Sequence, residues 1–325
     1  MSYTVFYMNR KAPEEVHQII REQMPPGWTL TTPTTGVDYS TQLAGCDFIL
    51  VADEAIRAEH IAAAPRLRMI QHQGVGYERI DLKACRERDI PVALTPEGTS
   101  ASVAEHTLLL ILATYRHLVR ASTGVRNGCW MQWELRKASF DLYAKTLGLV
   151  GMGNIGREVA GRAQAFGARI IYYDPWVSPT ADAAFTRKES LEALLCEADI
   201  VSLHVPVTSE NHHLINSNTL RLMKPGAILI NTARGKLVDE AALVEALTDG
   251  HLAGAALDVL NEEPPDPSNR LLHLENVVVT PHIAAGTRDA LTRKMRAAFA
   301  NLLRFSQGEP LVNVVPELRD LAVTR

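Results

Sequence analysis

An arginine, a glutamate and a histidine stand just past three apolar runs in the second half of the chain. Arg234 follows "ILINTA", Glu263 lies in the loop after "ALDV", and His282 comes two residues after "NVVVT". Runs this apolar read as strands covered on both faces, which favours a parallel sheet. The carboxyl ends of such strands open on the ligand crevice of an α/β fold. A guanidinium placed there can polarise a carbonyl and grip a carboxylate, an imidazole can give and take a proton, and a carboxylate can orient that imidazole. Singly, each residue also reads blandly, as a solvated loop cation, one of an acidic pair, or a strand-end histidine with a satisfied ring. Their joint placement is what points to chemistry.

The elements upstream say what that chemistry works with. "LGLVGMGNIGREVAGRAQAFGARIIYYDP" sets Gly151, Gly153 and Gly156 directly after an apolar strand and at the mouth of a helix. Gly151 permits a tight turn, Gly153 lets backbone approach a pyrophosphate, and Gly156 lets helix and strand pack closely. Met152, Asn154 and Ile155 belong to the same turn, whose N–H groups and helix dipole favour negative charge. About twenty residues on, Asp174 ends the next strand, where a carboxylate accepts the ribose hydroxyls of an adenosine and repels a 2′-phosphate. Arg157 and Arg169 are nearby, but neither directly follows Asp174 as a phosphate-gripping residue should. NAD is expected rather than NADP. With a dinucleotide beside them, Arg234, His282 and Glu263 supply what hydride transfer to a ketone needs: a polarising cation, a proton donor and a group to orient it.

The 325 residues, 46% hydrophobic, suffice for two domains. The first hundred alternate short β-rich runs ("YTVFYM", "WTLTTP", "DFILVA", "LRMIQHQG", "IPVALTP") with helical stretches. A second series runs from "KTLGLV" through "ARIIYYD", a short piece near "AAFT", "ADIVSLHVP", "GAILINTA" and "LAGAALDV" to "NVVVTP". Between them "TSASVAEHTLLLILATYRHLVRA" predicts a long helix, capped by Ser100 or Ser102 and apolar on several faces. It either joins two domains and contributes to a dimer interface, or is an ordinary buried helix. The tail reads as a helix and an extended stretch that return to the first domain. A formal charge of -4 without a Lys/Arg block argues against nucleic acid. The richest apolar run is too short to span a bilayer, and the N-terminus lacks a signal-peptide stretch. Four scattered cysteines make neither a metal knuckle nor a disulfide scaffold, so no metal is expected and a reducing cytoplasm fits.

Together, "VGMGNIG", "LHVP", "NTARGKLVDE", "AGAALDV...EEP" and "TPHIAAGT" resemble the D-isomer-specific 2-hydroxyacid dehydrogenase family, in that family's order and over nearly the whole chain. The resemblance implies a two-domain α/β fold. A Rossmann-type, doubly wound parallel NAD domain (100–286) is inserted in a smaller flavodoxin-like substrate domain built from 1–99 and 287–325. It implies catalytic roles for Arg234, Glu263 and His282. "QHQGVGYERID" matches the family's Gly-rich turn, so Val75 and Gly76 are the expected substrate-carboxylate contacts, with Arg234 on the same substrate. Thr107, His204, Val205, Pro206, Thr232, Ala233 and Asp258 fall on positions that flank the cofactor. His72, His106, His212 and His213 are assigned to packing or solvent. Trp130 and Trp133 lie in a segment that in some relatives reaches a neighbouring subunit's site, and surface or interface packing is the safer reading. A homodimer is expected.

The implied reaction interconverts a small 2-keto acid and a D-2-hydroxy acid, as in glyoxylate/hydroxypyruvate reductases. Formate dehydrogenase shares the fold, but its relatives carry Gln where Glu263 stands, and Val75 replaces the substrate-loop Lys of phosphite dehydrogenase. Phosphoglycerate dehydrogenase without a regulatory domain and an NAD-sensing corepressor remain as alternatives. The identity of the acid rests on loops around Ala52, Asp53 and Tyr77, which sequence does not shape. If Asp174 selects the cofactor, Asp174→Ala narrows the preference for NAD over NADP. Steady-state kinetics with both cofactors measure this, and a wild type that already prefers NADPH would remove the assignment.

Overall fold

The apolar runs of the first hundred residues form β1 (Thr4–Met8), β2 (Thr29–Thr31), β3 (Phe48–Val51), β4 (Met69–His72) and β5 (Val92–Ala93), joined in the order β2-β1-β3-β4-β5 with every pairing parallel. This is the flavodoxin-like order. The later runs form β6 (Thr146–Val150), β7 (Arg169–Tyr173), β8 (Thr186–Arg187), β9 (Ile200–Leu203), β10 (Ile228–Asn231), β11 (Gly254–Leu257) and β12 (Val277–Val279). Their order, β12-β11-β10-β9-β6-β7-β8, is again wholly parallel and is that of a doubly wound dinucleotide fold. The computed structural model describes residues 2–52, 54–177 and 184–322, and these strand counts are of the described residues. Asp53, one of the residues assigned to the acid's pocket, lies outside them.

The chain divides into two units, Met1–Thr99 with Thr287–Arg325, and Ser100–Gly286. Both changes of unit fall at helix starts. The helix Thr99–Tyr115 begins before either serine expected to cap it, so Ser100 and Ser102 lie inside its first turn. Thr287 caps the helix Arg288–Gln307, its hydroxyl accepting from Ala290 N at 3.0 Å. In the first unit one core gathers the five strands with Met295, Phe299 and Leu302 of that helix.

The seven-stranded sheet is buried on both faces, because strand side chains alternate between two cores. Leu229, Ala255 and Leu257 pack on one side with Leu194, Leu220 and Leu243 of the helices there. Ile228, Ile230 and Ala256 pack on the other with Leu108, Ile111 and Val159. This double burial is why the strands read as unbroken apolar runs. The winding reverses between β6 and β9, leaving a crevice at their carboxyl ends. Gly151 and Gly156 close the turn there. A Cβ on Gly156 would lie 2.3 Å from Gly151 O, so only glycine lets the helix Asn154–Ala165 come this close to β6. Among the described residues no helix is long and apolar enough to cross a membrane.

Candidate active site

β10, β11 and β12 lie side by side in register, Asn231 opposite Leu257 and Leu257 opposite Val279. Each strand runs out at the same edge, and each carries one of Arg234, Glu263 and His282 a few positions on. After β10 the buried Asn231 shapes the turn: its Oδ1 accepts from Ala233 N at 3.0 Å and its Nδ2 donates to Arg234 O at 2.8 Å. Arg234 Nη1 donates to Ala233 O at 2.7 Å, which turns the guanidinium back over its own strand end. Gly235 follows. A Cβ there would sit 2.1 Å from the carbonyl of Leu260, so the Arg234 turn rests directly on the backbone of the loop that leads to Glu263.

Glu263 meets His282 across that edge, Oε2 to Nδ1 at 2.8 Å, and its Oε1 accepts from Leu260 N at 3.2 Å. An ionised carboxylate only accepts, so Nδ1 carries the proton and Nε2 is the atom left for chemistry. The hydrogen bond to Glu263 raises the His282 pKa above its ordinary value. Partial burial and the Arg234 charge oppose this, and Asp258 adds to it. Burial pushes Glu263 the other way, upward, but its bonds to His282 and Leu260 outweigh that and hold the carboxyl below the usual range. His282 sits in the left-handed region at φ 53°. For a side chain with a Cβ this costs on the order of 1–3 kcal/mol, and it persists only where neighbours impose it.

Those neighbours centre on Asp258, 1% exposed. Its Oδ1 accepts from Thr280 Oγ1 at 2.6 Å and Ile283 N at 2.9 Å, its Oδ2 from Ala284 N at 2.8 Å, and its backbone O from His282 N at 2.8 Å. Burial works to raise this carboxyl's pKa, yet these donors and His106 keep it lowered. The family resemblance puts Asp258 beside a cofactor. In the chain itself it holds the backbone of His282 and of the two residues after it, and the Thr280 side chain before it. His106, assigned to packing or solvent, instead belongs to this network: Nε2 lies 3.1 Å from Thr280 Oγ1 and 3.5 Å from Asp258 Oδ1.

The glycine turn shows a similar division of labour. A Cβ on Gly153 would meet nothing within 4 Å, so backbone there borders open space at the head of the helix Asn154–Ala165, the setting a pyrophosphate needs. Met152 N–H, expected to serve the same anion, is turned to Asp174 Oδ2 at 2.8 Å, because a carboxylate inside the turn is a stronger acceptor than distant solvent. Asp174 Oδ1 accepts from Trp176 N and Val177 N at 2.9 and 3.2 Å. The remaining acceptor capacity of this largely buried carboxylate is concentrated on Oδ2. Nearby, His204 shares a hydrogen bond with Ser202 Oγ at 2.9 Å, and burial pushes its pKa down to about 4, leaving the ring neutral. Val205 and Pro206 follow it in the loop after β9.

Thr107 and Thr232 are joined hydroxyl to hydroxyl at 3.1 Å, and Thr107 also donates to Val103 O at 2.8 Å. Thr107 is fully enclosed. It therefore holds Thr232 from the interior side. In the other unit, Val75 is exposed in the turn beyond β4. Thr95 N holds that turn through Gly74 O at 2.9 Å. Among the described residues no three His, Cys, Asp or Glu side chains gather to hold a metal.

Residues 108–284 match the family model described as "D-isomer specific 2-hydroxyacid dehydrogenase, NAD binding domain". A glyoxylate reductase of Korarchaeum cryptofilum is 39% identical over 314 residues, 95% of either chain. A D-3-phosphoglycerate dehydrogenase of Archaeoglobus fulgidus is 41% identical over 262 residues, 80% of this chain but only 49% of that one. Among solved structures, the TT0316 protein from Thermus thermophilus superposes with a TM-score of 0.85 at 39% identity, covering 96% of this chain and 99% of that one. With its Rossmann sheet, its glycine turn and these relatives, the chain belongs to the D-isomer-specific 2-hydroxyacid dehydrogenase family and is an NAD-dependent oxidoreductase of that family.

Proposed function

We propose that the chain interconverts a small 2-keto acid of the glyoxylate or hydroxypyruvate class and the corresponding 2-hydroxy acid, with NAD(H) rather than NADP(H). The observation that carries this reading is the His282–Glu263 pair at 2.8 Å beside the Arg234 turn, at the ends of adjacent strands. The nicotinamide, when bound, supplies or takes up the hydride. His282 Nε2 delivers a proton to the substrate oxygen in reduction and withdraws it in oxidation, while Glu263 fixes the ring and stabilises its charged form. Arg234 polarises the carbonyl and holds the carboxylate. On the cofactor side, Asn154 N, Ile155 N and Gly156 N take the pyrophosphate and Asp174 Oδ2 a ribose hydroxyl. The glyoxylate reductase is matched over 95% of its own length and the phosphoglycerate dehydrogenase over only 49%, which supports this substrate class over 3-phosphoglycerate. A panel of glyoxylate, hydroxypyruvate, pyruvate and 3-phosphoglycerate tests it. Turnover on none of these, in either direction, would leave a cofactor-sensing protein as the reading.

Cytoplasm and a homodimer complete the proposal. All four thiols are free, and burial pushes those of Cys46 and Cys85 up to about 12, where they stay protonated and inert. The helices Leu118–Arg126 and Gln132–Ala138 and the turn between them leave Leu118, Val119, Val125, Trp130 and Trp133 more than half exposed, an apolar face a second copy would cover. Sedimentation equilibrium should find a dimer that Val119→Asp weakens; a monomer at micromolar concentration speaks against it.

Arg234→Ala should lower kcat/KM by orders of magnitude, since removing one charge-assisted contact in a closed site costs about 2.7–4 kcal/mol. Arg234→Lys should keep a little activity, having charge without the planar fork. Unchanged kinetics in Arg234→Ala would move the substrate elsewhere.

The raised pKa of His282 fixes the pH dependence. Reduction needs the imidazolium, so kcat/KM for reduction holds at low pH and falls as pH rises through that pKa. Oxidation needs the vacant Nε2, so its kcat/KM falls as pH drops through the same value. Glu263→Gln removes the chief cause of the elevation and should shift both profiles to lower pH with NADH binding intact. Superimposable profiles for wild type and Glu263→Gln would show that the carboxylate does not tune the ring.

A further inference from the structure

We propose that His106, with Thr107 beside it, is a positioning residue that couples the strand ends carrying Arg234, Glu263 and His282. The inference rests on the reading of His282 as the acid/base group. The helix Thr99–Tyr115 is fixed to the sheet by Leu108 and Ile111 in the core. Its side chains at 106 and 107 then reach all three strand ends. Thr107 bonds Thr232, two residues before Arg234. His106 Nε2 lies 3.1 Å from Thr280 Oγ1, two residues before His282, and 3.5 Å from Asp258 Oδ1, five residues before Glu263.

The protons can be placed. Thr280 Oγ1 lies 2.6 Å from Asp258 Oδ1, and an ionised carboxylate only accepts, so the hydroxyl proton is committed to Asp258. Thr280 Oγ1 must then accept from His106, which puts a proton on Nε2. The donor chain His106 to Thr280 to Asp258 polarises the carboxylate that also binds Ile283 N and Ala284 N. Those two bonds and the one from His282 N to Asp258 O hold His282 in its left-handed conformation with Nδ1 on Glu263. His106 touches none of the reacting atoms. It acts by keeping the Asp258 lock closed, so that small movements at residue 106 become displacements of the imidazole.

The test uses four variants of the full chain. His106→Ala should lower kcat by roughly tenfold to a hundredfold, the loss expected when a group near the reacting atoms is displaced by about an ångström, with the Kd for NADH unchanged. His106→Gln, whose side-chain amide can donate from nearly the position of Nε2, should restore most of the loss. Thr280→Val, close in shape but without the bridging hydroxyl, should reproduce the defect. The double variant His106→Ala/Thr280→Val should be no worse than either single one. NMR titration of the His282 ring in the cofactor-free chain gives a readout independent of turnover. That ring faces Glu263, Asp258 and Arg234, and in His106→Ala its midpoint should fall as the ring loosens from Glu263. Wild-type kcat and titration in His106→Ala, a Gln variant as impaired as Ala, or fully additive losses in the double variant would each overturn the proposal. Should His106→Ala fail to fold, the Gln and Val variants decide it. His282→Ala separates the two readings. If it retains turnover, the acid/base assignment fails; if it is inactive while His106→Ala is normal, only the present inference fails.

Discussion

Asp258 is a carboxylate with almost no solvent, and it stays ionised because Thr280, Ile283 and Ala284 supply donors to its two oxygens, with the His106 ring 3.5 Å away. Burial of a charge without such partners would drive it to take up a proton. A protonated Asp258 would give up acceptor capacity and release the loop that presents His282. The interaction therefore runs in both directions: the loop keeps the carboxylate charged, and the charge keeps the loop in a backbone conformation it would not adopt alone. The parallel ladder extends past the strand ends, through Asp258 N to Asn231 O and Thr280 N to Leu257 O, and sets the lateral spacing on which this lock depends.

The His282–Glu263 pair is balanced between opposing fields. Glu263 stabilises the imidazolium at 2.8 Å and Asp258 adds to that stabilisation from the interior, while Arg234 and partial burial act against it. A ring beside two carboxylates alone would hold its proton too tightly for oxidation, and a ring beside arginine alone would lose it too readily for reduction. An acid/base group that works in both directions needs a pKa between these extremes. Keeping Glu263 and Arg234 close together while holding the imidazole between competing charges accounts for the requirement at Gly235, where any side chain would separate the two loops.

Features legible in the sequence share one property: each is local. The glycine turn and Asp174 lie within one βαβ unit, and Arg234, Glu263 and His282 each lie a few residues past an apolar run, so spacing alone locates them. The seven-stranded sheet follows from the regular alternation of buried strands with helices. What escapes is non-local or hidden in hydrogen bonding. His106 is far from Thr280 and Asp258 in sequence, and a lone histidine on an apolar helix carries no sign of the strand end it will meet; its only hint is its place next to Thr107. Thr107 itself matches a cofactor-flanking position, but sequence does not show that helix packing encloses it. Met152 N–H reads as an anion donor because the sequence does not reveal that Asp174 folds back beneath the turn.

A second regularity links the two halves of the NAD-binding unit. At two of the turns a buried carboxylate stands behind the exposed group: Asp174 behind the glycine turn, holding Met152 N, and Asp258 behind His282, holding Ile283 N and Ala284 N. Asn231 does the same for Arg234 with a neutral amide. The choice between charge and neutrality follows from what each turn presents. A negative charge next to Arg234 would offset its guanidinium, which the proposed function places on an anionic substrate, so an amide suits that turn. Next to His282, a carboxylate in the interior favours the charged ring that reduction requires. Parallel strands supply the spacing, and these three side chains convert it into side-chain orientation, which explains why residues without any contact to a reacting atom are as tightly constrained by their surroundings as those that have one.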